Sequence, residues 1–158
     1  MRVAILSISD TVSLGTRTDA SGPALRDRCI QLGWDVKSLE VLPDDPSAIL
    51  AQLTSLADAE LTDLILTTGG TGIGPRDSTP EATVQACTKL LPGIPELMRE
   101  TGRLKNARAV LSRAVAGVRG RALIVNLPGS PRGAVESIDA VAELLPHAIE
   151  VLRGARHD

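Results

Sequence analysis

Apolar residues fall along the chain in two rhythms. Residues 3–8, 63–68 and 122–127 are short, nearly unbroken apolar runs, which suit strands buried on both faces. Between them apolar residues return every three or four positions, as on one face of a helix. Leu25, Cys29 and Leu32 mark a helix opened by Gly22-Pro23 and closed by Gly33. Trp34, Val36, Leu39 and Val41 alternate with polar residues, with one slip of register, and predict a strand over 34–42. Asp45 and Pro46 have the chemistry of an N-cap and first helical position, ahead of a helix carrying Ile49, Leu50, Leu53 and Leu56.

The second half repeats the alternation. Residues 80–90 read as helix, and Gly93-Ile94-Pro95 starts another with Leu97 and Met98 on its apolar face. Residues 109–118 are ambiguous; 114–118 are taken as a short strand, with an antiparallel sense as one option. From 131 to 153 the pattern is helical again, through Ala134, Val135, Ile138, Val141, Leu144, Leu145, Ile149 and Leu152, and Pro146 is expected to kink or split that helix. The polar stretch up to Ser21 reads as loop. Strands alternating with helices predict an α/β domain with a largely parallel sheet covered on both faces. In such sheets ligands bind beyond the carboxyl ends of the strands. Ser7-Ile8-Ser9-Asp10, Pro43-Asp44, Thr68-Gly69-Gly70 and Leu127-Pro128-Gly129 all follow predicted strands, so parallel strands would bring them to one edge.

Composition narrows the function. The 158 residues suit one domain over 1–158, and 43 % hydrophobic residues exclude a disordered chain. With one Trp and no Tyr or Phe, the core is aliphatic and offers no stacking platform for bases. A formal net charge of −2 gives no basic footprint, so no nucleic-acid partner is expected. Cys29 and Cys87 form no CxxC and read as small apolar side chains rather than a redox or zinc pair. The N-terminal apolar run is far too short for a signal peptide and no stretch is long enough to span a membrane, so a cytoplasmic protein is expected. His147 on the last helix and His157 near the end have no partner motif, which argues against Ser-His or Cys-His chemistry.

The richest chemistry lies at Thr67-Thr68-Gly69-Gly70-Thr71-Gly72-Ile73-Gly74-Pro75-Arg76-Asp77-Ser78-Thr79-Pro80. A strand, a glycine loop and a helix N-terminus make an anion-binding corner, where backbone N–H groups and the helix dipole both favour phosphate. It is not a P-loop, because Pro75-Arg76 stands where Lys-Ser/Thr is required, and it misses the dinucleotide GxGxxG by one position. Thr68 and Thr71 add hydroxyl donors. Asp77 would repel a phosphate unless a cation lay between them, and Mg²⁺ held by one or two carboxylates plus substrate phosphates is the usual solution, with Asp44 as the second carboxylate. Against that, Asp77 could cap the helix one position early or be neutralised by Arg76, and Asp44 could be an ordinary turn residue. Ser130, just before Pro131, reads first as the N-cap of the last helix.

The string Thr67 to Gly72 followed by Arg76-Asp77-Ser78-Thr79-Pro80-Glu81-Ala82-Thr83 resembles the signature of the molybdopterin adenylyltransferase family, MogA/MoaB, of molybdenum cofactor biosynthesis. Ser7-Ile8-Ser9-Asp10, Leu42-Pro43-Asp44, Leu111-Ser112-Arg113 and Asn126-Leu127-Pro128-Gly129-Ser130-Pro131 agree in order and spacing, so the resemblance covers essentially the whole chain. It implies a three-layer α/β/α sandwich whose mostly parallel sheet has one antiparallel strand, assembled as a homotrimer or, in some members, a hexamer. It also implies transfer of AMP from Mg-ATP to the terminal phosphate of molybdopterin, with release of pyrophosphate and channelling to the molybdenum-insertion enzyme. Carried over by motif, Asp44 and Asp77 would be catalytic and handle magnesium. Thr68, Gly69, Gly70, Thr71 and Gly72 would cradle the nucleotide. Ser7, Asp10, Ser112, Arg113, Pro128, Gly129 and Ser130 would meet molybdopterin. The alternative within this family is a MoaB-type carrier or scaffold that binds molybdopterin without turnover.

Overall fold

In a computed structural model, residues 1–155 are described; His157 lies outside them. Six strands form one sheet in the order β2-β1-β3-β6-β5-β4. They are β1 (Arg2–Ile8), β2 (Asp35–Leu42), β3 (Leu64–Thr68), β4 (Lys89–Leu90), β5 (Ala116–Arg119) and β6 (Ala122–Leu127). The helices are α1 (Asp10–Ser13), α2 (Ser21–Gln31), α3 (Pro46–Asp58), α4 (Thr79–Ala86), α5 (Gly93–Arg103), α6 (Pro131–Val141) and α7 (Leu144–Leu152). β1, β2, β3 and β6 pair in parallel, while β5 runs antiparallel to both β6 and β4. One strand therefore opposes the rest, as the family resemblance implies.

Alternation along each buried strand divides its side chains between two cores. Val3, Ile5, Leu64, Leu66, Leu123, Val125 and Leu127 meet Leu25, Met98, Ile138, Leu145 and Ile149, from α2, α5, α6 and α7. Leu6, Ile8, Ile65 and Ile124 point the other way, onto Ile49, Leu53, Ala82 and Ala86 of α3 and α4. That is three layers. The slip in the 34–42 alternation is a bulge: Val36 faces Val3 and Ser38 faces Ala4, which leaves Lys37 without a partner in the register.

Four sequence expectations need correction. The loop to Ser21 contains α1, whose N-cap Ser9 accepts a hydrogen bond from the Val12 amide. The helix expected over 80–90 ends at Ala86, and Cys87 turns extended with ψ 143°. The Thr88 and Leu91 amides then donate to the Val118 and Ala116 carbonyls at 2.8 Å each, which recruits Lys89 and Leu90 to the sheet. The strand placed at 114–118 is Ala116–Arg119, preceded by a 3₁₀ turn, Ala107–Leu111. The last helix does split, but between Val141 and Leu144. Pro146 sits in the first turn of α7, where a missing N–H interrupts no helical bond. Among the described residues no helix is long and apolar enough to cross a membrane.

The strand order fixes where a ligand can go. From β1 the chain moves outward to β2, then returns to β3 on the other side of β1. The loops leaving β1 and β3 part in opposite directions and open a crevice at the carboxyl ends of the strands.

Candidate functional site

A cleft of about 390 Å³ occupies that crevice. It is lined by Ser7, Ser9, Asp44, Thr68, Gly69, Gly70, Asp77, Gly129 and Ser130, so all four post-strand segments converge there as expected. Three loops are stitched together to form its floor. The Gly69 amide donates to the Leu127 carbonyl at 3.1 Å, and the Thr68 hydroxyl donates to the Pro128 carbonyl at 2.7 Å. Gly69 has φ 105°, and a Cβ there would lie 2.3 Å from the Ile8 carbonyl oxygen. Only glycine lets the loop after β3 press this closely on the loop after β1.

Beneath this floor lies a closed polar network. Asn126 Nδ2 donates to Thr67 Oγ1 at 2.9 Å and to Thr83 Oγ1 at 2.8 Å, while its Oδ1 accepts from the Val115 amide at 3.1 Å. Thr83 Oγ1 in turn donates to the Thr79 carbonyl at 2.8 Å. Asn126 thus locks β6, β3 and the start of α4 into one unit. Every polar atom in that chain is paired, which is the condition for a buried network to be stable.

The acidic residues are arranged with equal specificity. The Asp10 amide donates to Asp44 Oδ2 at 2.9 Å, and the Asp44 amide donates to Asp10 Oδ1 at 3.0 Å. Each carboxylate thus holds the other's loop. Arg76 donates to both Asp10 oxygens, at 3.0 and 3.2 Å, and so neutralises Asp10 rather than Asp77. Its hydrogen bond pulls the Asp10 carboxyl below its ordinary value, helped by the Asp44 amide. Asp44 goes the other way: burial raises it, and the charges of Asp10 and Asp77 raise it further. Asp77 does not cap α4, whose N-cap is Ser78. Its Oδ2 accepts from the Gly74 amide at 2.8 Å and lies where side chains at Gly72 and Gly74 would stand. Asp77 is therefore built into the glycine loop, and Asp44 is more than a turn residue.

The remaining candidates divide into contacts within the loops and a second hollow. Arg113 pins the glycine loop: its amide donates to the Thr71 carbonyl, its Nε to the Gly72 carbonyl at 2.7 Å and its Nη2 to the Asp77 carbonyl at 3.0 Å. It also pairs with Glu81 and holds that carboxyl below its usual range. Ser130 caps α6, accepting from the Gly133 amide at 3.1 Å. Ser130 and Pro128 also line a hollow of about 190 Å³ with Arg99, Asn106, Arg108 and Ser112. The Pro128-Gly129-Ser130 turn separates this hollow from the cleft.

Sequence reasoning missed Asp19 and Arg17, which also line the cleft. Asp19 accepts from the Ser7 hydroxyl at 2.6 Å and from the Gly22 amide at 3.1 Å. An acidic residue three positions ahead of Gly22-Pro23 is a helix-start signal that could have flagged it. Arg99 and Arg108 carry no comparable signal.

No group of three or more His, Cys, Asp or Glu among the described residues is placed to hold a metal ion. Asp44 and Asp77 suit instead a cation that draws most of its oxygens from a ligand's phosphates.

Residues 4–147 match a family model described as "Probable molybdopterin binding domain". The chain is 38 % identical over 156 residues to the molybdopterin adenylyltransferase of Helicobacter pylori strain J99, covering 98 % of this chain and 89 % of that protein. It is 34 % identical over 168 residues to the molybdopterin adenylyltransferase of Escherichia coli K12, covering 98 % and 86 %. The molybdopterin biosynthesis enzyme MoaB of Thermus thermophilus superposes with a TM-score of 0.91 at 48 % identity, covering 99 % of each chain.

Proposed function

The chain belongs to the molybdopterin-binding-domain family of molybdenum cofactor biosynthesis, and from that premise we propose that it is a molybdopterin adenylyltransferase. The terminal phosphate of molybdopterin attacks the α-phosphorus of ATP, the bond to the β-phosphate oxygen breaks, and pyrophosphate leaves. The observation that carries this reading is the pairing of an under-compensated carboxylate, Asp44, with a glycine loop at the switch point of the sheet.

The residues of this chain position groups and balance charge, which is most of what such a transfer requires. Gly69 and Gly70 present backbone to the cleft, against which a phosphate chain would lie. Asp44 and Asp77 would hold Mg²⁺, which when bound offsets the charge gathering on the transferred and departing phosphates. The accepting phosphate is already anionic near neutral pH and needs no general base. The hollow beyond the 128–130 turn, with Arg99, Arg108 and Ser112, would take the pterin side, so that acceptor and donor meet across that turn.

The same reading includes a homotrimer, with handover of the product to the molybdenum-insertion enzyme. An apolar groove of about 540 Å³ along the β4 edge, lined by Leu91, Ile94, Leu144 and Val151, supports burial of this edge by another copy.

Purified protein given molybdopterin, ATP and Mg²⁺ is expected to release pyrophosphate in step with adenylylated pterin, and Asp77→Ala to lose that activity. An absence of both products, or full activity in Asp77→Ala, contradicts the assignment.

A further inference from the structure

Beneath the glycine loop lies a hydroxyl with nothing to bond. Thr79, the first residue of α4, is 0 % exposed, and its Oγ1 has no hydrogen-bond partner among the described residues. Thr83, one turn later, uses its hydroxyl on the Thr79 carbonyl; at the helix start there is no helical carbonyl behind Thr79 to use in the same way. A buried hydroxyl left unpaired forfeits its hydration without return, so the position of this one calls for a physical cause.

Gly70 supplies the geometry. A Cβ on Gly70 would stand 2.3 Å from Thr79 Oγ1 and 3.2 Å from Asp44 Oδ1. Both oxygens therefore lie close to one point beside the loop. Asp44 Oδ2 accepts the Asp10 amide, whereas Oδ1, the oxygen facing Thr79, accepts no hydrogen bond from the described residues. The Thr79 amide donates to the Gly70 carbonyl at 3.2 Å, which fixes the helix start against the loop. With φ 65°, Gly70 stands where a side chain would run into the Thr79 hydroxyl and crowd the Asp44 oxygen.

We propose that Thr79 Oγ1, reaching from behind the lining, and Asp44 Oδ1 are both ligands of one divalent cation held beside Gly70 at the wall of the cleft, an inference that rests on the adenylyl-transfer reading of that cleft. Hard cations take oxygen ligands, and a threonine or serine hydroxyl beside a phosphate-binding loop serves them elsewhere. A hydroxyl suits this cleft because it adds an oxygen without adding negative charge. Asp44 and Asp77 already line the cleft with carboxylates, and a triphosphate must still enter.

The test uses Mn²⁺ as the probe, with free Mn²⁺ counted by electron paramagnetic resonance as the full chain is titrated in the presence of a non-hydrolysable ATP analogue. Thr79→Val keeps the shape and removes the oxygen; it is expected to weaken Mn²⁺ binding by about tenfold. Thr79→Ser restores the oxygen and is expected to bind Mn²⁺ like the wild type. The melting temperature of Thr79→Val without metal is expected to equal or exceed that of the wild type, since the hydroxyl has no protein partner to lose. Wild-type Mn²⁺ affinity in Thr79→Val, or a lowered melting temperature, overturns the Thr79 assignment; if Asp44→Asn still weakens binding in that case, the adenylyl-transfer reading stands. No Mn²⁺ binding by the wild type, or equal binding by wild type and Asp44→Asn, overturns both.

Discussion

Asp63 lies just ahead of β3 at one end of the sheet, and Asp44 follows β2 at the other. Asp63 is 3 % exposed and accepts from the Arg2 amide at 2.7 Å, from Arg2 Nη2 at 2.8 Å and from Arg153 Nη2 at 2.5 Å. Burial alone would raise its carboxyl, but the bonds from Arg2 and Arg153 hold it well below the usual carboxylate range. Asp44 is half-buried and accepts one backbone amide; the nearby arginine pairs with Asp10 instead. Burial and two neighbouring carboxylates push it up. The chain satisfies the charge at the amino end of the strands from within. At the carboxyl end Asp44 has no ion pair among the described residues and its carboxyl is raised, and such unbalanced groups gather at functional sites.

That contrast breaks most sharply at Asp44. Asp44→Asn is expected to lower kcat/KM for adenylylation by roughly 10²–10³-fold, while the melting temperature holds or rises because a like charge has been removed from Asp10 and Asp77. Steady-state kinetics beside a thermal melt checks both halves. A variant that melts well below the wild type would make Asp44 a structural residue and erase the contrast.

Asp63→Asn should behave in the opposite way. It is expected to lower stability by about 1–3 kcal/mol, the cost of weakening a buried acceptor set, or about 2–4 °C in melting temperature per kcal/mol for a chain of this size. Turnover at 25 °C should stay at the wild-type value. Lost activity at a temperature where the variant is fully folded would show that the two ends are coupled.

The smallest effect is in the pH dependence, where the two carboxylates differ in sign. Asp63 has a depressed folded pKa, so the stability it contributes is fully present above its unfolded value of about 4 and is lost as pH falls through the folded value. Asp44 has a raised folded pKa. Its charged form costs stability at neutral pH, and that cost is relieved as pH falls through the raised value, toward about 4. Thermal melts between about pH 2 and pH 6 should therefore show a flatter acid limb in Asp63→Asn and, in Asp44→Asn, loss of the slight gain on acidification.

The strands that carry the site were legible because each is an apolar run buried on both faces, so local pattern and tertiary environment agree. The bulge at Lys37 was visible too, as a change of parity between Val36 and Leu39. What escaped the sequence depends on distant partners. β4 is only Lys89 and Leu90, two exposed residues drawn into the sheet by the β5 carbonyls, and nothing local distinguishes them from the end of a helix. Arg113 resembles a ligand-binding residue in its motif, yet its guanidinium donates to two carbonyls of its own glycine loop. The orphan hydroxyl of Thr79 was hidden for the same reason, since a threonine at the first position of a helix is ordinary until its neighbours are in place.

The most direct measurement follows the α-phosphorus itself. ATP labelled at that position is incubated with molybdopterin, Mg²⁺ and the wild type, Asp44→Asn or Asp63→Asn, and the pterin is separated from the nucleotide. Label is expected on the pterin with the wild type and Asp63→Asn, and near background with Asp44→Asn. Unlabelled pterin with the wild type, or equal labelling with Asp44→Asn, would contradict the account.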